Sequence, residues 1–315
     1  MAPNNTNKPL FSVITPVYNC AEYIEGTLKS VLTTASEFSF EYIVVNDGST
    51  DETASILDQY SSEIIVITTL NSGESSAVNV GINSAKGEYI LVVSADDPLY
   101  TNKLFQDVHK IFCANPTVNV LYPDWRIINS NGELVKEISV PSFSLDLLIG
   151  ENNTLPGPGT FFRSETARAI GGRNARWKFV GDFDFWLRMS MVGGFLHRPE
   201  TLAQWRQHQN STSIARRGLE MAMERIDVID EFLSGYPVET KLGRKARSSS
   251  YYLAARLSYF DSRIPGRQLM LRSITTRRSW PTQMKLKEFF YLLGLPVTRK
   301  MLNVIRFFPR VLRGQ

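Results

Sequence analysis

Only two cysteines, Cys20 and Cys113, occur in the 315 residues. That excludes a disulfide framework, and with no Cys/His pair at ligand spacing it argues against a structural zinc site. A reducing compartment is the expectation. No uninterrupted apolar run reaches about 18 residues, the length a bilayer-crossing helix needs. The opening MAPNNTNKP lacks the apolar core of a secretory signal, so the expected location is cytoplasmic. The sequons at Asn152-Asn153-Thr154 and Asn210-Ser211-Thr212 are accordingly expected to be fortuitous. Zinc-finger spacing and an RNA-binding aromatic signature are also missing, so no nucleic-acid partner is expected. Acid is scarce at the C-terminal end. Lys241 to Gln315 carries 17 Lys or Arg against 2 acids, which is +15 in a chain of net +4 and leaves −11 for the rest.

Hydrophobic residues at 43% and charged ones at 21% are ordinary for a globular chain with a substantial core. The first half alternates short apolar runs with helix-period segments. Leu10–Thr15, Tyr42–Asn46, Ile64–Thr68 and Tyr89–Ser94 read as strands, the first ending at Pro16. Asn19 is placed to cap a helix carrying Ile24, Leu28, Val31 and Ala35, and Thr50 to cap one with Asp51 and Glu52 in its first turn. Strands alternating with helices predict an α/β fold with a mostly parallel sheet, whose strand carboxyl ends are where ligands bind. Beyond residue 115, Val118–Asn129 and Leu134–Val140 predict a hairpin turning at Asn131-Gly132. Helices are expected from near Ser164 and over Asp182–Met191, and the chain from about Gly218 reads as helical and increasingly basic.

Polar residues collect at the strand ends. Asp47 follows the second run, and Asp96 with Asp97 follows the fourth. Paired acids repel unless a cation or water offsets them, so a divalent metal such as Mg²⁺ or Mn²⁺ is one reading and a solvated turn the other. The glycine-rich GPGTFF (157–162) has Phe162 where a dinucleotide fingerprint needs its third glycine, so a dinucleotide fold is not indicated.

Taken in order, Thr15-Pro16-Val17-Tyr18-Asn19, Val44–Asp51 (VVNDGSTD), Ser94-Ala95-Asp96-Asp97, GDFDFWLR (181–188) and WRQH (205–208) resemble family 2 glycosyltransferases over roughly residues 9 to 215. The resemblance implies a GT-A fold over residues 1–215, with residues 216–315 as a helical basic region. It implies that Pro16 and Tyr18 line the nucleobase pocket, that Asp47 hydrogen-bonds the base, and that Asn71 and Gly73 lie near base and ribose, with Asn79 supporting that wall. Asp96 would be the principal metal ligand at the donor diphosphate, and His208 matches a position that in some relatives approaches the metal. Asp182 matches the general base. Gly159 and Thr160 would border the acceptor, and Trp186 is counted with them, although bulky apolar groups beside an acid also anchor their helix. Arg188 is expected to hold that helix. Two departures stand out: Ser94 replaces the first acid of the usual Asp-x-Asp, and Gly181 stands where many relatives carry Glu.

The implied function is inverting transfer of a sugar from a nucleoside-diphosphate donor, UDP favoured, to a hydroxyl of a glycan or lipid-linked acceptor. The alternative is a non-catalytic nucleotide-sugar binder of the same fold. At the C-terminus, Arg299, Asn303, Arg306, Arg310 and Arg313 fall within a sector of about 80° if helical, opposite Met301, Val304, Ile305, Phe308, Val311 and Leu312. This pattern predicts contact with an anionic membrane surface, kinked at Pro309.

Overall fold

The computed structural model describes residues 8–208, 218–258 and 266–277. The C-terminal amphipathic pattern at 289–313 and the sequon at 210–212 lie outside the described residues. The chain divides into two units, Met1–Leu148 with Asn153–Ala215, and Ile149–Asn152 with Arg216–Gln315.

The first unit is built on a mixed sheet. Strands β1 (Phe11–Val17), β2 (Phe40–Asn46), β3 (Ile65–Thr68) and β4 (Tyr89–Val92) lie parallel in the order β3-β2-β1-β4. Helices α1 (Ile24–Ala35), α2 (Thr53–Gln59) and α3 (Glu74–Ser84) connect them. After α4 (Val108–Ala114) come β5 (Val118–Ile128), β6 (Leu134–Ile138) and β7 (Phe161–Arg163). Strand β7 joins β4 to β5 by antiparallel pairing on both sides. Helices α5 (Ser164–Ala169) and α6 (Gly181–Ser190) lead into β8 (Gly194–Arg206), which runs parallel to β5. The result is the GT-A arrangement, with a mostly parallel half and an antiparallel insertion.

The hydrophobic pattern explains the core. Strand β1 is buried at nearly every position because helices cover both faces, so its run is continuous rather than alternating. Phe11 sits among the rings of Phe38, Tyr89, Phe105 and Phe161, at centroid distances of 6.2, 6.1, 5.4 and 5.5 Å. Edge and tilted contacts of this kind add to the area each ring buries.

Several local expectations shift. Pro16 lies inside β1 rather than ending it. The carbonyl of Ile14 bonds Val93 N toward β4, so the nitrogen of Pro16 faces the same way, past the last β4 pair at Val92. No ladder bond is lost there, which is where a strand tolerates proline. Helix α2 begins at Thr53, not after Thr50, and Asp51 accepts its first amide at 3.0 Å. Asn19 does not cap α1; with φ at 48° it accepts Thr50 N at 2.7 Å, joining two loops. Strand β8 has no clear signal in the sequence, since the charged stretch His197-Arg198-Pro199-Glu200 hides its alternation. Its register slips against Pro123–Trp125 on β5, and the strand resumes beyond.

The second unit comprises α7 (Gly218–Gly235), α8 (Thr240–Ser258) and α9 (Gly266–Arg277) around Ala222, Ile226, Tyr252, Ala255, Leu269 and Met270. Ser248 and Ser273 exchange hydroxyl-to-carbonyl bonds of 2.8 and 2.7 Å between α8 and α9. Ile149–Asn152, far off in sequence, is part of this unit. The buried Asn152 amide donates to Ile149 O and Ala246 O, and its oxygen accepts Ser250 Oγ at 2.6 Å. A side chain so engaged is closed to glycosylation.

Candidate active site

Three strand ends form one edge of the site. Asp47 N donates to Val17 O, and Thr69 N to Asn46 O, both at 2.9 Å, which sets the ends of β1, β2 and β3 side by side. Asp47 is buried, and its carboxylate accepts Ser72 N at 2.9 Å and Gly73 N at 2.8 Å. It thereby braces the loop carrying Asn71 and Gly73, a role beyond the base contact that the resemblance implies. Gly48, at φ 72°, is needed here: a Cβ would come within 2.9 Å of Asn71 N. Pro16 is half-buried, while Tyr18 stands 49% exposed.

A second edge is the turn after β4. Several of its polar groups are held from elsewhere in the unit. Thr27 and Ser30 of α1 bond Ala95 O and Leu99 N at 2.8 and 2.9 Å. From β8, Gln204 donates to Pro98 O at 2.6 Å, and Arg206 Nε to Asp96 O at 2.9 Å. Asp97 turns inward to accept Arg206 N at 2.7 Å. Burial, and then the neighbouring Asp96, push the Asp97 carboxyl well above the usual range. Asp96 alone of the pair is presented outward. Its Oδ2 lies 2.8 Å from His208 Nε2, and the imidazole packs at a tilt against Tyr23, ring centroids 4.7 Å apart. Neither Arg206 nor Tyr23 is marked for this role by the sequence. Arg206 sits inside WRQH, but only the fold shows its bonds to residues about 110 positions earlier.

The same turn acts on a cysteine. Burial, with a further push from Asp96, raises the Cys20 thiol to about 12, whereas Cys113 is exposed. Alkylation requires the thiolate, so iodoacetamide at pH 8 is expected to label Cys113 at least ~100-fold faster than Cys20. Mass spectrometry of the labelled peptides checks this; equal rates would mean the Cys20 pocket opens freely.

The third edge is α6. Asp182, half-buried in the first turn, accepts Phe183 N at 2.7 Å through Oδ1. Asp184, two residues on, is not available for chemistry: Arg188 Nε and Nη2 hold it at 2.9 and 2.7 Å. Arg188 also donates to Ile170 O and Gly172 O, at 2.8 and 2.7 Å, so its role is to hold the helix. Removing it would leave the Asp184 charge buried, at a cost of about 3–5 kcal/mol. Gly181 is explained by packing, because a Cβ there would lie 2.2 Å from Ser75 Oγ.

The three residues assigned to the acceptor are all buried. Gly159 is wedged against Ala203, Pro123 and Leu104. Thr160 spends its hydroxyl on Gly157 O at 2.6 Å. Trp186 is 6% exposed, its ring against Phe162, Phe185 and Phe195. The physical reason is that a Gly-rich turn beside bulky apolar residues packs into the core as readily as it faces a ligand.

A sequence model described as glycosyl transferase family 2 matches residues 12–170. The chain belongs to this family. Like the family 2 enzymes it resembles, it is a glycosyltransferase. An uncharacterized glycosyltransferase of Rickettsia typhi is 29% identical over 241 residues, 74% of this chain and 73% of that one. Hyaluronan synthase of Pasteurella multocida is 30% identical over 219 residues, 67% of this chain but 22% of the synthase. Among solved structures, S. aureus TarS 1–349 in complex with UDP-GlcNAc aligns with a TM-score of 0.55 at 18% identity, covering 90% of this chain and 78% of that one. The mannosyltransferase PcManGT of Pyrobaculum calidifontis, in complex with GDP-Man and Mn²⁺, also gives 0.55, at 16% identity and coverages of 93% and 81%. At such identities these two establish the fold.

Family 2 chemistry raises the question of a metal. Among the described residues no group of three His, Cys, Asp or Glu converges. Asp96 Oδ2 and His208 Nε2 do meet, and a carboxylate oxygen with an imidazole nitrogen suits Mn²⁺. Two protein ligands fit an ion that takes its remaining contacts from phosphate and water. Among the described residues no helix is long and apolar enough to cross a membrane.

Proposed function

We propose that this family 2 glycosyltransferase transfers a sugar from a nucleoside diphosphate, UDP favoured, to an acceptor hydroxyl by a single inverting displacement. The observation that supports this reading is the presence of three devices in the same unit. They are the loop braced by Asp47, the outward carboxylate of Asp96 beside His208, and Asp182 at the start of α6.

In this reading the base and ribose occupy the β1–β3 edge, with Tyr18 stacking on the base and Asn71 and Gly73 beside it. Asp96 and His208 would hold the divalent ion, which when bound offsets the charge developing on the departing diphosphate. Asp182 accepts the proton of the attacking hydroxyl, as general-base catalysis requires. One carboxylate suffices, since a single displacement needs no covalent sugar–enzyme intermediate. The acceptor is a growing surface glycan or a lipid-linked saccharide. The +15 charge of residues 241–315 supports placement at an anionic, cytoplasmic membrane face.

Thermal shift with UDP, dTDP and GDP, each with and without Mn²⁺, tests the donor half. One nucleotide is expected to raise Tm by about 5 °C at ~100 times its Kd, only with metal, and Asp96→Ala is expected to abolish the shift. Silence from every nucleotide would refute the donor site.

A further inference from the structure

Helix α3 touches two edges of the site at once. Its N-terminus is Gly73, whose amide Asp47 holds at 2.8 Å. Two turns on, the Asn79 amide grips one residue of the segment before α6 by both backbone atoms. Nδ2 donates to Arg173 O at 2.6 Å, and Oδ1 accepts Arg173 N at 2.7 Å. Gly172, at φ 69°, leaves room for this grip, because a Cβ would lie 2.3 Å from Asn79 Oδ1. Arg173 reaches back to Glu74, at the head of α3, at 2.8 Å. The carbonyls of Ile170 and Gly172 in turn take the Arg188 guanidinium of α6. In the first turn of α3, Ser75 packs directly on Gly181, the residue before Asp182.

We propose that α3 is a positioning bridge: through Asn79 and Ser75 it sets the start of α6, and with it Asp182, at a fixed distance from the loop braced by Asp47. Asp182 itself bonds only its own neighbour, Phe183 N, among the bonds described for it, so its place depends on where α6 begins. Asn79 and Ser75 are positioning residues; they touch neither substrate nor the reacting atoms. Gly181 is the complement of Ser75, because the absent side chain is what lets the two helix starts meet. The proposal rests on the transferase reading for its consequence, but its structural core can be tested without substrate.

Hydrogen–deuterium exchange on the full chain makes that separation. Without nucleotide, Asn79→Ala is expected to speed exchange across 171–184 at least ~10-fold while leaving 43–47 and 89–92 unchanged. Asn79→Asp, which keeps the acceptor half of the grip, is expected to lie between the two. If 171–184 exchanges as in wild type in Asn79→Ala, the bridge is overturned, whatever the protein binds. Adding UDP with Mn²⁺ then reads the coupling. Wild type is expected to gain protection at both 69–73 and 179–184, and Asn79→Ala at 69–73 alone. Protection of both segments in the variant would overturn the bridge. If neither segment is protected even in wild type by UDP, dTDP or GDP, the donor reading fails while the first arm still decides the bridge. With a turning-over donor and acceptor, Asn79→Ala is expected to lower kcat about 10- to 100-fold with donor KM within about threefold, since misplacing a base by about 1 Å costs that much. A rise in KM with kcat unchanged would assign Asn79 to donor binding instead and overturn its positioning role.

Discussion

Asp182→Asn is expected to slow transfer about 1000-fold while leaving nucleotide binding and Tm near wild type, general-base catalysis being worth about 10²–10⁴. The substitution is chosen to isolate one property. Asparagine has the shape of aspartate, and its Oδ1 can still accept Phe183 N, so the start of α6 keeps its local bond. It cannot take a proton from an incoming hydroxyl. The next acid on the helix gives no escape route, because Asp184 is 6% exposed and clamped by Arg188. Steady-state rates with a donor fixed by the thermal-shift panel, alongside nucleotide titration, provide the check. Loss of kcat with binding preserved supports the base assignment. Activity within about threefold of wild type would remove Asp182 from the chemistry, and a fall in nucleotide affinity would place it on the donor instead.

Gly159→Ala should be a strongly destabilising single-methyl addition in the first unit. Two costs coincide. At φ 77° a Cβ meets backbone repulsion of about 1–2 kcal/mol that glycine escapes. The new methyl would also lie 2.6 Å from Ala203 Cβ, 3.0 Å from Pro123 Cγ and 3.1 Å from Leu104 Cδ1. Such overpacking costs about 1–3 kcal/mol more. Together they predict a loss of about 2–5 kcal/mol, or roughly 5–15 °C in Tm for a unit of this size. Gly171→Ala separates the two costs. It has φ 80° but open space around the added carbon, so only the smaller, conformational cost is expected. Thermal denaturation of both variants decides: equal losses would mean that strain, and not the wedge between β5 and β8, dominates. The wedge matters for function because Ala203 lies on β8 three residues before Arg206, which braces Asp96 and Asp97.

Part of the candidate site is legible in the sequence alone. Asp47, Asp96 and Asp182 stand out because each follows a recognisable strand or opens a recognisable helix, and polar groups at such ends are conspicuous against apolar runs. The burial of Gly159, Thr160 and Trp186 was not legible in this way, because composition does not distinguish a glycine turn that faces a ligand from one that lets two strands close. Arg206, Tyr23 and Ser75 escape notice for a different reason. Their partners are Asp96, His208 and Gly181, each more than about 100 residues distant, and no local signal marks such a pairing.

The sequence by itself determined the parallel α/β half, the hairpin of β5 and β6, the family, and which carboxylates stand at strand and helix ends. These follow from apolar periodicity and turn chemistry, both short-range properties. Only the tertiary structure decided that Asp97 turns inward while Asp96 turns out, that β8 delivers His208 to Asp96, and that Ile149–Asn152 joins the helical unit. It also decided that Asp47 spends its carboxylate on a loop 25 residues later. Those outcomes depend on which buried donors and acceptors find partners once the whole chain has closed, and a buried polar group must be satisfied wherever in the sequence its partner lies.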